Sequence, residues 1–368
     1  RPALEAHFGI PSGHVLVAVQ QGLSDPHRGG RAVAVLEFSA PATDATERLR
    51  VVYKPKDMGV DAAYQALLAD LNAHSDLAPL RCITVHLSDG YGYMEFVSHQ
   101  LCADGHELER FYANAGRLTA VLHLLGCTDC HYENLIACAD QLLLIDTETL
   151  LEADLADHVD DANTKKLAIN QASQLQQRCR SSVLRSGLLP NWMFVGVAKR
   201  AMDISALGIA PPAAAEAQVP GWLGLNSDGM MPGREPQDVS IPTSLPVGIG
   251  SPNPLNQHLD TFCSGFSQQM RELERLKSRW LAAGSVLDAF AGLTRRIVLR
   301  ATRVYFAIQR QQLQPAALRS AFAQAIRLEQ LARSFLLAES RPLHWPVLAA
   351  EQQQMQRLDI PFFTHAID

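Results

Sequence analysis

The chain has 368 residues, 47% of them hydrophobic and 19% charged, and its 32 basic and 38 acidic side chains give a net charge of −6. That apolar fraction supports a sizeable core and excludes extensive disorder. The acidic balance argues against nucleic acid as the main partner, since duplex binding rests on clustered Lys and Arg, and no run approaches the roughly 18 apolar residues of a membrane span.

In chain order, His14 to Gln20, Ala32 to Phe38 and Leu49 to Tyr53 carry the alternation or β-branched content of three strands. A polar glycine-containing turn, Gly22 to Gly30, joins the first two. Asp61 to His74 has apolar residues at helical spacing behind an aspartate suited to its start. Short strands follow around Ile83 to Leu87 and Tyr91 to Val97, then a helix from Glu107 to Leu125 with Gly126 as its stop. The polar loop Thr128 to Asn134 precedes two more short strands, Leu135 to Cys138 and Gln141 to Ile145. Beyond Asp146 the character changes. Lys165 to Arg185, Leu259 to Ala283, Val286 to Leu313 and Pro315 to Ala338 read as long helices, and the Pro- and Gly-rich stretch between 208 and 255 reads as loop.

Seven scattered cysteines do not form a disulfide framework, which places the chain in a reducing cytoplasm. Cys127 and Cys130 make a lone CxxC without a second pair at zinc spacing and read as packed thiols. The start at Arg1, without Met or a signal pattern, reads as that of a fragment.

Phosphoryl transfer from ATP requires a cover for the phosphates, a cation on them, a residue that orients the nucleophile and oxygen ligands for Mg²⁺. In protein kinases these parts arrive in a fixed order: glycine turn between strands, Lys on the third strand, a loop with Asp and then Asn five positions later, and an Asp after a strand pair. This chain offers a candidate for each part in that order: the Gly22 to Gly30 turn with Gly29 and Gly30, Lys54, the pair Asp129 and Asn134, and Asp146. Each has an ordinary alternative: a hairpin, an edge lysine, a turn aspartate. The turn also lacks GxGxxG. Two departures separate the chain from ordinary protein kinases. The helix at 61 to 74 has only Asp61 and Asp70, and no Glu, to pair with Lys54, and the loop reads Thr128-Asp129-Cys130-His131.

The strings LSDPHRGGRAVAVLEF (Leu23 to Phe38), VVYKPKDMGVDAAYQALLADLN (Val51 to Asn72), GYGYMEFV (Gly90 to Val97), HLLGCTDCHYENLIA (His123 to Ala137), LLIDTETL (Leu143 to Leu150), SVLRSGLLP (Ser182 to Pro190), DISAL (Asp203 to Leu207) and DIPFFTH (Asp359 to His365) resemble the dehydratase domain of class II lanthipeptide synthetases, the LanM enzymes. The resemblance implies an α+β fold with a two-lobed, lipid-kinase-like core and a mostly helical C-terminal extension. It divides the chain into a β-rich lobe at 1–103, a catalytic lobe at 104–207, a loop segment at 208–258 and the helical extension at 259–368. It implies phosphorylation of Ser or Thr in a ribosomal precursor peptide with ATP and Mg²⁺, followed by phosphate elimination to dehydroalanine or dehydrobutyrine, with ADP retained for the second step as one possibility. The implied partners are the leader and core of that peptide, together with an N-terminal part and a C-terminal zinc cyclase of the same polypeptide. No zinc is expected here.

Carried over residue by residue, Lys54 contacts ATP phosphate, Asp129 orients or deprotonates the substrate hydroxyl, and His131 supports that loop. Asn134, Asp146 and, more weakly, Glu148 hold Mg²⁺. Asp25, His27, Arg296 and Thr302 serve elimination, with Arg300 the second choice for the phosphate contact. On the residues alone, Arg296 and Arg300 are four apart and fit the solvated face of a helix. Arg178 and Arg180 also fit an exposed face better than a phosphate site. Tyr91, Tyr93 and Phe96 are expected around the link between lobes, with the backbone of Glu95 to Ser98 facing adenine. The competing readings are a plain kinase that stops at the phosphorylated product and a non-catalytic remnant that only binds peptide.

Overall fold

A computed structural model describes residues 2–40, 48–152, 181–190, 192–195, 200–208, 216–224, 227–238, 243–248, 254–335 and 345–367. A short helix, α1 (Pro2–Phe8), leads into β1 (Val15–Gln20), β2 (Ala34–Ser39) and β3 (Leu49–Lys54). Helix α2 (Gly59–His74) follows, then β4 (Val85–Ser88) and β5 (Tyr91–Glu95). The five strands form one antiparallel sheet in the order β1-β2-β3-β5-β4. Alternation along β2 and β3 sends Phe38 and Val51 to one face, where they meet Leu4 and Ile10, so α1 closes that side of the sheet.

Helix α3 (Gly105–Leu124) begins on Asp104, whose carboxylate accepts the Glu107 N–H at 2.8 Å. It lies under the hairpin of β6 (Leu135–Cys138) and β7 (Gln141–Leu144). The main core joins α2, α3 and helix α4 (Leu259–Trp280) through Tyr64, Leu67, Leu71, Phe111, Leu122, Phe262 and Trp280. Where α3 and α4 cross, a Cβ on Gly116 would come within 2.0 Å of the Phe262 carbonyl, and one on Gly265 within 2.1 Å of the Ala113 carbonyl. Two glycines at the crossing are what let these backbones touch.

The C-terminal third departs from the expected helices. Val286 to Leu313 is not continuous: it holds a 3₁₀ turn (Val286–Phe290), a strand, β12 (Thr294–Ile297), and helix α5 (Thr302–Gln312). Gly292, at φ +74°, turns the chain out of helical geometry, and Gly292 and Leu293 exchange backbone hydrogen bonds with Ile367. β-Branched Thr294 and Ile297 then pair with β13 (Phe363–Ala366). Pro315 to Ala338 likewise contains a short helix, α6 (Ala321–Leu328), capped by Ser320, and a 3₁₀ run (Glu329–Phe335). A last helix, α7 (Val347–Gln356), packs with α5 and α6 around Tyr305, Leu331 and Met355.

The stretch read as loop contains a hairpin of two eight-residue strands, β10 (Glu216–Leu223) and β11 (Met231–Asp238), after a shorter pair, β8 (Trp192–Val195) and β9 (Arg200–Asp203). Pro220, Pro232 and Pro236 sit in the longer hairpin because both strands of a two-stranded ribbon are edges, where a missing N–H breaks no inner ladder. The expected helix at Lys165 to Arg185, with Arg178 and Arg180, lies mostly outside the described residues. Among the described residues no helix is long and apolar enough to cross a membrane.

Candidate functional site

A cleft of about 1300 Å³ opens between the sheet, the 125–148 region and the β12–α5 corner. One end is apolar, walled by Val35, Val52, Met94, Phe96, Val97, Ile136 and Ile145. Lys54, Asp129, His131, Asn134, Asp146, Glu148, Asp25, His27, Arg296 and Thr302 all line it. Tyr91 and Tyr93 do not: they cluster on β5 with Tyr53 of β3, ring centroids 5.8 Å apart.

Lys54 ends β3 with its side chain buried, and its ammonium donates to Asp61 at 3.2 Å and to the Ile145 carbonyl at 2.5 Å. Asp61, in the first turn of α2, thus takes the place of the missing glutamate. Lys56, to which the sequence attached no role, reaches Asp146 at 2.9 Å and Glu148 at 3.1 Å. The only hint of it was its place two residues beyond Lys54, across Pro55. Burial opposes the charge on Lys56, but the two carboxylates outweigh it and raise its pKa. For Asp146 burial works the other way from Lys56 and Lys54, and the two ammonium groups win, holding its carboxyl well below the usual range.

The loop after α3 folds back sharply. Asp129 has φ +61°, a left-handed conformation that Asp tolerates better than most residues and that marks a constrained position. The loop is held from beneath: Cys130 N–H donates to the Ser186 carbonyl at 2.7 Å, and His131 pairs with Ser205. The SVLRSGLLP and DISAL segments are therefore the loop's support. Cys127 and Cys130 flank Asp129 with buried thiols, sulfur atoms 3.2 Å apart. Asn134 donates through Nδ2 to the Asp129 carbonyl at 2.8 Å, which leaves Oδ1 as its acceptor. Glu133 N–H donates to His131 Nδ1, so the ring proton sits on Nε2, 3.4 Å from an Asp129 oxygen. Asp129 is open to the cleft yet surrounded by protein, and this partial desolvation, reinforced by Asp146 and Glu148 and opposed by His131, raises its pKa to about 6.

Arg296 lies on β12, not on a helix face. Its guanidinium is ion-paired with Glu148, its N–H donates to the Glu148 carbonyl at 2.9 Å, and it stands 5.2 Å from the Phe362 ring centroid. Glu148 therefore joins two cations, Lys56 through one oxygen and Arg296 through the other. Arg300 turns away to Glu351 at 2.7 Å. Asp25 is hydrogen-bonded by Thr302, the first residue of α5, and burial raises its pKa against the pull of His27, Arg296 and that hydrogen bond. The His27 Nδ1 lies 2.7 Å from the Ile360 carbonyl, which places the ring proton on Nδ1 and leaves Nε2 with the lone pair. Burial lowers the His27 pKa, favouring the neutral ring.

Gly29 and Gly30 are put to another use than phosphate binding. Their N–H groups both donate to the Asp359 carboxylate, at 2.8 Å each, and neither residue lines the cleft. Asp359 and Phe362 stand in the quoted DIPFFTH string but were given no role, because the glycine partners of Asp359 lie about 330 residues away along the chain.

A family model described as "Domain of unknown function (DUF4135)" matches residues 1–366. The chain is 25% identical over 185 residues, 48% of its length, to "Lacticin 481/lactococcin biosynthesis protein LcnDR2" of Lactococcus lactis subsp. lactis. It spans only 18% of that relative.

Proposed function

We propose that this chain, which belongs to the DUF4135 family, is the dehydratase core of a lanthipeptide synthetase: a kinase-like fold that phosphorylates Ser or Thr of a precursor peptide and then eliminates the phosphate. The observation that carries the reading is one cleft lined by two chemical sets. Lys54, Asp129, Asn134 and Asp146 make up one set, Asp25, His27, Arg296 and Thr302 the other, and Glu148 joins Lys56, which also pairs with Asp146, to Arg296. A kinase requires only the first set. Likeness to a lantibiotic biosynthesis protein supports a peptide substrate.

Asp146, Glu148 and the Asn134 amide offer hard oxygen donors of the kind Mg²⁺ takes, and one cation, the Lys56 ammonium, already draws both carboxylates together. Bound ATP and Mg²⁺ supply the phosphoryl group and neutralise its charge. The apolar end of the cleft, including Phe96 and Val97, receives adenine. Asp129 would accept the proton of the substrate hydroxyl as the hydroxyl oxygen bonds to the γ-phosphorus and ADP leaves with the bridging oxygen, and His131 Nε2–H would steady that carboxylate.

For elimination, the Nε2 lone pair of His27 takes the α-proton, the electrons form the Cα–Cβ double bond, and the Cβ–O bond breaks with phosphate leaving as an anion. Arg296 receives that anion through its planar fork, on release from Glu148. Thr302 and Asp25 fix each other at the same corner. Mass spectrometry of a Ser- and Thr-containing lanthipeptide precursor co-expressed with the protein tests this reading. The wild type is expected to give losses of about 18 Da per modified residue, and Arg296→Ala or Thr302→Val gains of about 80 Da as phosphopeptide accumulates. Phosphate gain without water loss from the wild type would make the protein a plain kinase, and unmodified peptide would remove both activities.

A further inference from the structure

We infer that Asp359 is a positioning residue for the elimination half of the site, acting through the turn that carries Asp25 and His27; this rests on the function proposed above. The turn is costly to hold in one shape. Arg28, Gly29 and Gly30 occupy three consecutive left-handed conformations, φ +49°, +89° and +77°, and the turn is exposed on its outer side. Three consecutive positive φ values point two neighbouring N–H groups the same way, making a small anion-binding concavity. In a phosphate-covering turn such amides would hold nucleotide. Here the concavity is filled from within the chain: Asp359, only 4% exposed, places one carboxylate oxygen on each amide at 2.8 Å.

The neighbouring residues extend the clamp to the reacting group. Ile360 N–H donates to the Pro26 carbonyl at 2.9 Å, and the Ile360 carbonyl faces His27 Nδ1 at 2.7 Å. The same dipeptide that fastens the turn therefore selects the His27 tautomer in which Nε2 is the base. Phe362 completes the corner, its ring 5.0 Å from the His27 ring, 4.6 Å from the Arg28 guanidinium and 5.2 Å from that of Arg296. Residues 359–362 thus set the base and border the phosphate-binding arginine, and among the described residues their hydrogen bonds and ring contacts go to 26–30, Arg296 and Gln354, not to Asp129, Asn134 or Asp146. The expected signature is a split between the two half-reactions.

Asp359→Asn keeps the side chain's shape but replaces one accepting oxygen, and Asp359→Ala removes both. In the full-length protein, release of phosphate from a synthetic precursor peptide bearing one phosphoserine, read as a loss of about 98 Da, should slow by about tenfold or more in Asp359→Ala and less in Asp359→Asn. Transfer of labelled phosphate from ATP to the unphosphorylated peptide should stay at the wild-type rate in both. Hydrogen exchange should show Gly29 and Gly30 amides losing protection by about tenfold or more while sheet amides are unchanged. Unaltered exchange at these glycines, unaltered elimination, or loss of phosphorylation in step with elimination would each overturn the inference. A wild-type protein that never phosphorylates peptide removes the functional reading instead, and the exchange measurement then decides the clamp by itself.

Discussion

On the proposed chemistry, Asp129 has to lose its proton before it can take one, so its raised pKa sets a visible limb. With the carboxylate the active form and a pKa near 6, kcat/KM for phosphate transfer should rise as pH increases through about 6 and level above it. Asp129→Asn should abolish transfer without unfolding the protein, as labelled ATP and circular dichroism would show. Asp61 makes a different kind of contribution. Removing it in Asp61→Ala leaves the buried Lys54 ammonium with the Ile145 carbonyl as acceptor and Asp146 as the nearby opposite charge, a loss expected to cost about 3 kcal/mol in chemical denaturation. At this scale the sequence was readable where spacing is local. The Asp129 to Asn134 offset and the DTE string lie within single loops, so their joint direction into one cleft follows from a few bonds. The division of labour between Lys54 and Lys56 did not show, because it depends on which lysine the α2 aspartate captures, and α2 meets β3 only in three dimensions. The role of Asp359, quoted only as the start of DIPFFTH, was unreadable for the same reason.

The α3–α4 crossing brings two backbones together at Gly116 and Gly265, and each glycine faces a carbonyl of the other helix. Gly265→Ala should force the helices apart and lower stability by about 1–3 kcal/mol or more, measurable as a drop in Tm with the near-ultraviolet spectrum of Trp280 altered. Elements in the first 150 residues were legible because their strands are short apolar or β-branched runs and the turns between them carry Gly or Asp. Val286 to Leu313 was misleading. Its apolar residues suit a helix, and what breaks it is Gly292 together with a strand partner about 70 residues further on. Proline content hid β10 and β11, since composition distinguishes inner strands from loops but not two-stranded ribbons from loops.

Across the whole molecule, one polar seam is closed by the two ends of the chain. His27 and Ile360, 333 positions apart, face each other at 2.7 Å, while the sheet and α2 close over much shorter distances in sequence. Loop closure over such a span comes late relative to local pairing. In refolding followed by pulse-labelled hydrogen exchange, protection at Gly29 and Gly30 should therefore emerge after protection of β2 and β3. During synthesis the same separation imposes an order: another 333 positions must be added before the partner of residue 27 exists. A nascent or prematurely terminated product that folds around Lys54, Asp129 and Asp146 lacks the residues that hold His27. On the proposed chemistry, such a product would add phosphate to peptide and leave it there, so that an unfinished copy of the enzyme yields a dead-end product.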